Sequence, residues 1–259
     1  MNPLPRLMVA PNGARLGKSD HPAIPLTLDE IVKTARACHL AGADGLHLHL
    51  RDTRGAHVLD SGMYREALAE LGRATPEMAV QITTEAVGIY GPDHQRDVAL
   101  NAGASLVSAS IREIMTDTDR RTIHRFFEDA RAAEIALQLI LYDLADVKLL
   151  KSVMPPGMFN AADLQVLFVL GRYTTDRDSR PTDLQPFLAW KDTEGWHPDW
   201  AVCAFGRGET ACLKYADAKG GKLRVGFENS IWSQDGTIAQ DNAQRVREIA
   251  DAKANRDAA

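Results

Sequence analysis

Gly45-Leu46-His47-Leu48-His49-Leu50-Arg51-Asp52 is the stretch that decides how the chain is interpreted. Leucine alternates with histidine along it, which predicts a strand with its leucines on one face and both histidines on the other. Two residues of strand rise separate His47 from His49 by about 6.6 Å, a gap that two imidazoles can close onto one metal ion. Polar residues and Gly55 follow at once, so we place the histidines at the C-terminal end of the strand, where parallel α/β folds build their sites.

An isolated H-x-H pattern is short and common, so solvent-facing or hydrogen-bonded histidines remain the alternative to a metal site.

The composition of the chain limits the class of protein and the kind of partner that it fits. The chain has 259 residues, 45% of them hydrophobic, and a formal net charge of −5, which predicts a buried core and disfavours nucleic acid as the main partner. We expect no membrane span and no signal peptide. Three scattered cysteines, Cys38, Cys203 and Cys212, predict no disulfide framework and a reducing, cytoplasmic location.

Short apolar runs alternate with amphipathic runs along the whole chain. Strands are predicted at 7–10, 45–50, 78–84, 105–111, 136–143, 164–170, 200–206 and 223–228. Helices are predicted at 28–41, 61–73, 92–103, 119–133, 144–153, 183–190, 209–218 and from 239 onward, the first opened by a capping box at Thr27 and Glu30. Eight β/α pairs in about 250 residues predict a single-domain (β/α)8 TIM barrel over residues 1–259. A doubly wound open sheet is the alternative, but no glycine-rich dinucleotide fingerprint follows the first strand.

In such a barrel, polar residues at the strand ends converge on one mouth. They are Asn12, His47, His49, Thr83, Thr84, Ser108, Ser110, Tyr142, Asp143, Arg207, Arg224, Glu228 and Asn229. The eighth strand lies beside the first in a closed barrel, so Glu228 can approach the histidine pair. Two histidines and one carboxylate leave coordination positions open, as catalytic metal sites do, and either zinc or non-haem iron suits these ligands. The plainer alternatives are a surface glutamate at 228 and a structural ion pair at Arg224.

Three blocks carry a resemblance to a known family. Residues 10–14 with His21-Pro22, residues 41–52, and residues 220–229 resemble corresponding blocks of the β-keto acid cleavage enzymes, in the same order and over nearly the whole chain. The resemblance implies a zinc-dependent barrel that reacts a β-keto acid with acetyl-CoA, giving acetoacetate and a new CoA thioester. We therefore expect Zn2+ as cofactor, a β-keto acid and acetyl-CoA as partners, and a homo-oligomer.

The resemblance also assigns roles to individual residues. His47, His49 and Glu228 match the zinc ligands, and Arg224 matches an active-site arginine. The residues implied to surround the substrate are Asn12, Arg15, Thr83, Thr84, Ser108 and Ser110.

The chain also departs from the family pattern. Asn229 stands where the family has an aspartate thought to transfer protons, and a neutral amide cannot act as a base near pH 7. Gln138, Ile140 and Tyr142 replace the usual glutamates of the fifth strand, and Arg15 replaces an acid after the first strand.

Three functional hypotheses follow. The first is a β-keto acid cleavage enzyme with an unusual substrate. The second is a metal-dependent lyase or hydrolase without the CoA step, and the third is a non-catalytic, metal-bound protein that binds small acids. We expect the mouth to present arginine and lysine at 15, 18, 207 and 224. These cations predict a neutral or anionic β-keto acid, dicarboxylic acids included, because a desolvated ammonium would lack a carboxylate partner.

Overall fold

A computed structural model describes residues 2–172 and 178–257 of the chain, with side chains described as far as residue 251. Eight parallel strands close into a barrel in which each strand pairs with its neighbours in the chain and β8 pairs with β1. The strands are β1 Leu7–Val9, β2 Gly45–Leu48, β3 Ala79–Thr83, β4 Leu106–Ser110, β5 Ala136–Leu141, β6 Gln165–Leu170, β7 Asp199–Ala204 and β8 Lys222–Val225. The predicted (β/α)8 TIM barrel is confirmed. The domain prediction over residues 1–259 remains a prediction, and residues 1, 173–177, 258 and 259 lie outside the described residues.

Helices follow the strands and surround the barrel. They are α1 Leu28–Leu40, α2 Ser61–Ala74, α3 Pro92–Asn101, α4 Arg120–Ala132, α5 Leu144–Val153, α6 Gln185–Glu194, α7 Glu209–Ala218 and α8 Asn242–Asp257. The predicted capping box of α1 is present, since Thr27 Oγ1 accepts from Glu30 N and the Glu30 carboxylate accepts from Thr27 N. A short helix, Ile111–Ile114, and a 3-10 turn at Pro181–Leu184 were not predicted.

Strand alternation produces two layers of buried side chains. Leu46 and Leu48 of β2 face outward and are fully buried in the apolar layer between strands and helices. A second apolar cluster, which includes Met8, Leu106 and Leu167, fills the barrel interior. Buried polar residues also lie on the strands, among them Gln81, Ser108, Gln138 and Arg224, so the interior combines an apolar filling with a polar region.

Most strands are shorter than predicted, and the corrections to β2 and β8 concern the site. β2 ends at Leu48, because Leu50–Arg51 pairs antiparallel with His57–Val58. Buried Arg51 anchors this hairpin by donating to the carbonyls of Gly13 (3.0 Å) and Gly55 (2.8 Å).

β8 ends at Val225 rather than at Glu228. Gly226 follows with φ of +137°, and a Cβ there would lie 2.5 Å from the carbonyl oxygen of Ala10. Only glycine avoids that collision in this backbone conformation. Glu228 therefore lies in a turn after the strand, and not within the strand predicted over residues 223–228.

Within the described part of the chain, no helix is long and apolar enough to cross a membrane. Cys38, Cys203 and Cys212 are buried free thiols.

Candidate metal centre and active site

Three potential metal ligands converge at the C-terminal mouth of the barrel. The Nε2 atoms of His47 and His49 lie 3.1 Å apart, and Glu228 Oε2 lies 3.5 Å and 3.4 Å from them. A tetrahedral zinc ion with bonds of about 2.0–2.2 Å separates its ligand atoms by roughly 3.3–3.6 Å. The three distances agree with that spacing to within a few tenths of an ångström, so these residues fit a metal ion.

His47 is held in the form that a metal requires. Burial, reinforced by the Arg224 cation, keeps the pKa of His47 well below its usual range, so the ring is neutral. Its Nδ1 lies 2.8 Å from Gln81 Oε1, while Gln81 Nε2 donates to Gln138 Oε1 at 2.9 Å. Because the amide oxygen of Gln81 can only accept, His47 carries its proton on Nδ1 and directs the Nε2 lone pair at the site.

Glu228 is an ionised, poorly solvated carboxylate. Burial alone would raise the pKa of Glu228, but the Arg224 guanidinium together with His47 and His49 outweighs burial and holds the pKa well below its usual range. Oε1 accepts from Arg224 Nη2 at 3.0 Å, whereas buried Oε2 has no hydrogen-bond partner among the described residues. A Cβ at Gly13 would lie 2.5 Å from Glu228 Cγ, so the first loop must carry glycine for Glu228 to reach the histidines.

Arg224 is a buried cation with unused donors. Nη2 contacts Glu228 Oε1 and Cys203 Sγ. Nε and Nη1 are buried, and in the part of the chain described they have no hydrogen-bond partner. A buried guanidinium with open donors is costly on its own, and is well suited to an anionic ligand such as a carboxylate.

The hydroxyl residues predicted to surround the substrate fall into two groups. Thr83 and Ser110 line a small inner pocket bounded by the three ligand residues with Ile140, Tyr142 and Arg224, and Ser110 Oγ is buried without a partner among the described atoms. The hydroxyls of Thr84 and Ser108 are placed differently. Thr84 Oγ1 donates to the Ser108 carbonyl at 2.9 Å. Ser108 is fully buried and does not line the pocket, and its Oγ, like that of Ser110, has no partner among the described residues.

The inner pocket adjoins an outer cleft of about 500 Å³, which is lined by the loops after β1, β7 and β8. Asn12 lies here, but its Nδ2 donates to the carbonyls of His49 (3.1 Å) and Pro25 (3.0 Å), so it supports the backbone of a candidate ligand. Asn229 lies here too, and both polar atoms of its side chain lack partners within residues 2–172 and 178–251. Arg15 lies at the exposed rim and contacts Glu85 at 3.3 Å.

Sequence reasoning missed two carboxylates of the inner pocket, Glu85 and Glu113. Glu85 also lines the outer cleft, and its Oε1 contacts Arg15 and Arg172. It lies two residues beyond β3, so extending the strand-end rule into the following turn would have found it. Glu113 belongs to the short helix after β4, which no sequence pattern indicated.

Two cations predicted at the mouth are already engaged. The Lys18 prediction is wrong, because Nζ pairs with Glu30 Oε1 at 2.7 Å and the residue lines neither cavity. Arg207 does line the outer cleft, where its guanidinium lies over the Trp232 ring, 4.2 Å from the centroid.

Fold and site together define a barrel enzyme with a candidate two-histidine, one-carboxylate metal centre at its mouth. The chain belongs to the β-keto acid cleavage enzyme family, whose model matches residues 6–258. It is 25% identical over 243 residues to the 3-keto-5-aminohexanoate cleavage enzyme of Fusobacterium nucleatum, a match covering 92% of this chain and 86% of that protein. It is 23% identical over 252 residues to the 3-oxoadipate:acetyl-CoA acetyltransferase of Cupriavidus necator, covering 94% and 86%.

A solved structure of ObcA, in a ternary complex with a C4-CoA adduct and oxalate, shares the fold. Its TM-score is 0.67 at 13% identity, and the match covers 91% of this chain and 65% of that one. The family and the fold expected from the sequence are therefore confirmed.

Proposed function

We propose that this protein is a zinc-dependent enzyme that converts a β-keto acid and acetyl-CoA into acetoacetate and a new CoA thioester. One observation carries the proposal. Three metal-binding atoms converge within 3.5 Å of one another beside Arg224, a buried arginine with two unpartnered nitrogens. One relative is named 3-oxoadipate:acetyl-CoA acetyltransferase, and this name supports the CoA step. A cytoplasmic, homo-oligomeric enzyme is part of the same proposal.

The reaction exchanges two acyl groups. The C2–C3 bond of the β-keto acid and the thioester C–S bond of acetyl-CoA break. C2 then joins the acetyl carbonyl carbon, and the CoA sulfur joins C3, the former keto carbon, to give the new thioester. Bound zinc would supply a Lewis acid that polarises the substrate keto group. Arg224 Nε and Nη1 donate to the substrate carboxylate and fix it beside the ligands, and Thr83 and Ser110 offer hydroxyls at the same pocket.

Proton transfer at C2 needs a base, which Asn229 cannot supply. Glu85 is the carboxylate that borders both the inner pocket and the outer cleft, where the two substrates meet in this proposal. We therefore assign proton transfer to Glu85, with its pairing to Arg15 and Arg172 setting its position.

The charge of the site favours a neutral or anionic β-keto acid. Four carboxylates line the two cavities, and each already has a partner: Glu85 pairs with Arg15 and Arg172, Glu113 accepts from Ala86 N and Gln95 Nε2, Asp178 accepts from Arg207 N, and Glu228 pairs with Arg224. An ammonium substituent would compete with these contacts, whereas a second carboxylate or a neutral chain would not.

The neutral Asn229 also favours a second candidate, a metal-dependent lyase or hydrolase that cleaves the β-keto acid without CoA. Incubating zinc-loaded protein with acetyl-CoA and cationic, neutral and dicarboxylic β-keto acids separates the two. The proposal expects acetoacetate and the new thioester in equal amounts, with a higher kcat/KM for neutral or dicarboxylic acids. Cleavage without consumption of acetyl-CoA would support the second candidate. Failure of every acid to react would contradict both.

A further inference from the structure

Two buried imidazole nitrogens beside the candidate metal centre lack partners. His49 directs Nε2 toward the other two ligands, and its Nδ1 is buried with no hydrogen-bond partner among the described residues. The same holds for Nδ1 of His57. The two rings are neighbours, with centroids 5.2 Å apart and planes inclined by 49°. Unpaired buried polar nitrogens are rare, so two in adjacent rings call for an explanation.

The protonation of the two rings is complementary. His57 Nε2 lies 2.9 Å from the backbone carbonyl of Glu85, and a carbonyl only accepts, so Nε2 carries the proton and Nδ1 of the neutral ring is a bare acceptor. A His49 that binds metal through Nε2 must carry its own proton on Nδ1. One ring therefore offers a donor where the other offers an acceptor.

We propose that His57 is a positioning residue for His49, accepting the Nδ1 proton of His49 and fixing the ring for metal binding. The inference rests on the proposed metal site. With the ring centroids 5.2 Å apart, a small rotation of the rings would suffice to bring the two Nδ1 atoms into hydrogen-bond range. His57 would then do for His49 what Gln81 does for His47, whose Nδ1 already lies 2.8 Å from the Gln81 amide oxygen.

The local fold explains why His57 stands there. His57 is the first residue of the strand His57–Val58. This strand pairs antiparallel with Leu50–Arg51, so the chain runs back alongside the residues that follow His49. The His57 ring also meets the Tyr90 ring edge-on, with centroids 6.2 Å apart. His57 is 5% exposed, and its burial against the His49 and Tyr90 rings limits the ring to small rotations.

Two substitutions of His57 distinguish a role in positioning His49 from a role in packing alone. An asparagine at 57 places its amide near the position of Nδ1 and keeps an acceptor toward His49, whereas a glutamine places its amide near Nε2 and keeps the donor toward the Glu85 carbonyl. Zinc affinity is measured for full-length protein by competition with a chromophoric chelator. We expect His57→Gln to weaken zinc binding about 10- to 100-fold, and His57→Asn to stay within about threefold of wild type.

His94→Gln is the matched control. His94 stacks on the Tyr90 ring, with centroids 4.9 Å apart, and its Nε2 lies 2.8 Å from the Leu59 carbonyl. Among the described residues, it makes no ring contact with a candidate ligand. We expect its substitution to leave zinc affinity unchanged. Equal affinity of His57→Gln and wild type, or equal loss in both His57 variants, would overturn the inference while leaving the metal site intact. A wild-type protein that binds no zinc would overturn the metal site and the role of His57 together.

Nitrogen-15 spectra of the zinc-loaded wild type test the same point without any substitution. The inference expects His49 protonated on Nδ1 and His57 protonated on Nε2. A proton on His57 Nδ1 would refute it, even where both variants fail to fold.

Discussion

Arg224 offers the sharpest test of how the substrate is held. Its Nε and Nη1 are the unpartnered donors beside the ligands, and each charge-assisted hydrogen bond to a carboxylate contributes about 1.5–3 kcal/mol. Losing two such bonds costs ~3–6 kcal/mol, which corresponds to roughly a 10²- to 10⁴-fold fall in kcat/KM. We expect Arg224→Met to show this fall with zinc content retained, because His47, His49 and Glu228 remain. The kcat/KM of Arg224→Lys should lie between those of the wild type and Arg224→Met, because lysine keeps the charge and loses the planar fork of the guanidinium.

The assay is the rate of CoA-thioester formation at several β-keto acid concentrations, with zinc measured on the same samples. Arg96→Met is the control, because Arg96 is a buried arginine of α3 that donates to the Ile114 carbonyl and lines neither cavity. It should lower stability and leave kcat/KM of the folded, zinc-loaded protein unchanged. A zinc-loaded Arg224→Met variant within threefold of wild type would refute the assigned role.

Three further predictions concern single carboxylate or amide positions. Asn229→Asp should raise turnover on the proposed substrates, by about 10²-fold where the acid takes over proton transfer, and unchanged turnover with zinc retained would count against that role. Glu85→Gln should lower kcat by about 10²-fold or more with zinc content preserved, and an undiminished kcat would exclude Glu85 as the base. Glu30, whose pKa is lowered to about 2 chiefly by its bond to Lys18, stabilises the fold above pH 4.5 and loses this contribution as the pH falls toward 2. Because its side chain is 39% exposed, Glu30→Gln should lower the free energy of unfolding at pH 7 by about 1 kcal/mol; equal urea midpoints at pH 7 would contradict this.

Periodicity was sufficient to predict the barrel and its mouth. Alternating side chains place His47, Ser110 and Arg224 by strand direction alone, and closure of the barrel brings the loop after β8 beside β2 and β1. Those relations depend on repeated local geometry, which sequence patterns report well.

The parts of the site that were missed depend on contacts distant in sequence. Glu228 was predicted as a ligand, but the turn at Gly226 through which it reaches the histidines was not; there Glu228 N donates to the Ala10 carbonyl at 3.0 Å. Gln81 and Gln138 form a chain behind His47 that only strand register brings together. Neither relation has a sequence period, so neither could be inferred from spacing.

The zinc content of purified wild-type protein, set beside that of His47→Ala, tests the central claim most directly. His47 supplies one of three converging ligand atoms and is 1% exposed, so replacing it removes a ligand without altering the surface. The account predicts one zinc ion per wild-type chain and loss of zinc from a folded His47→Ala variant. Equal zinc content in the two proteins, or none in either, would contradict it.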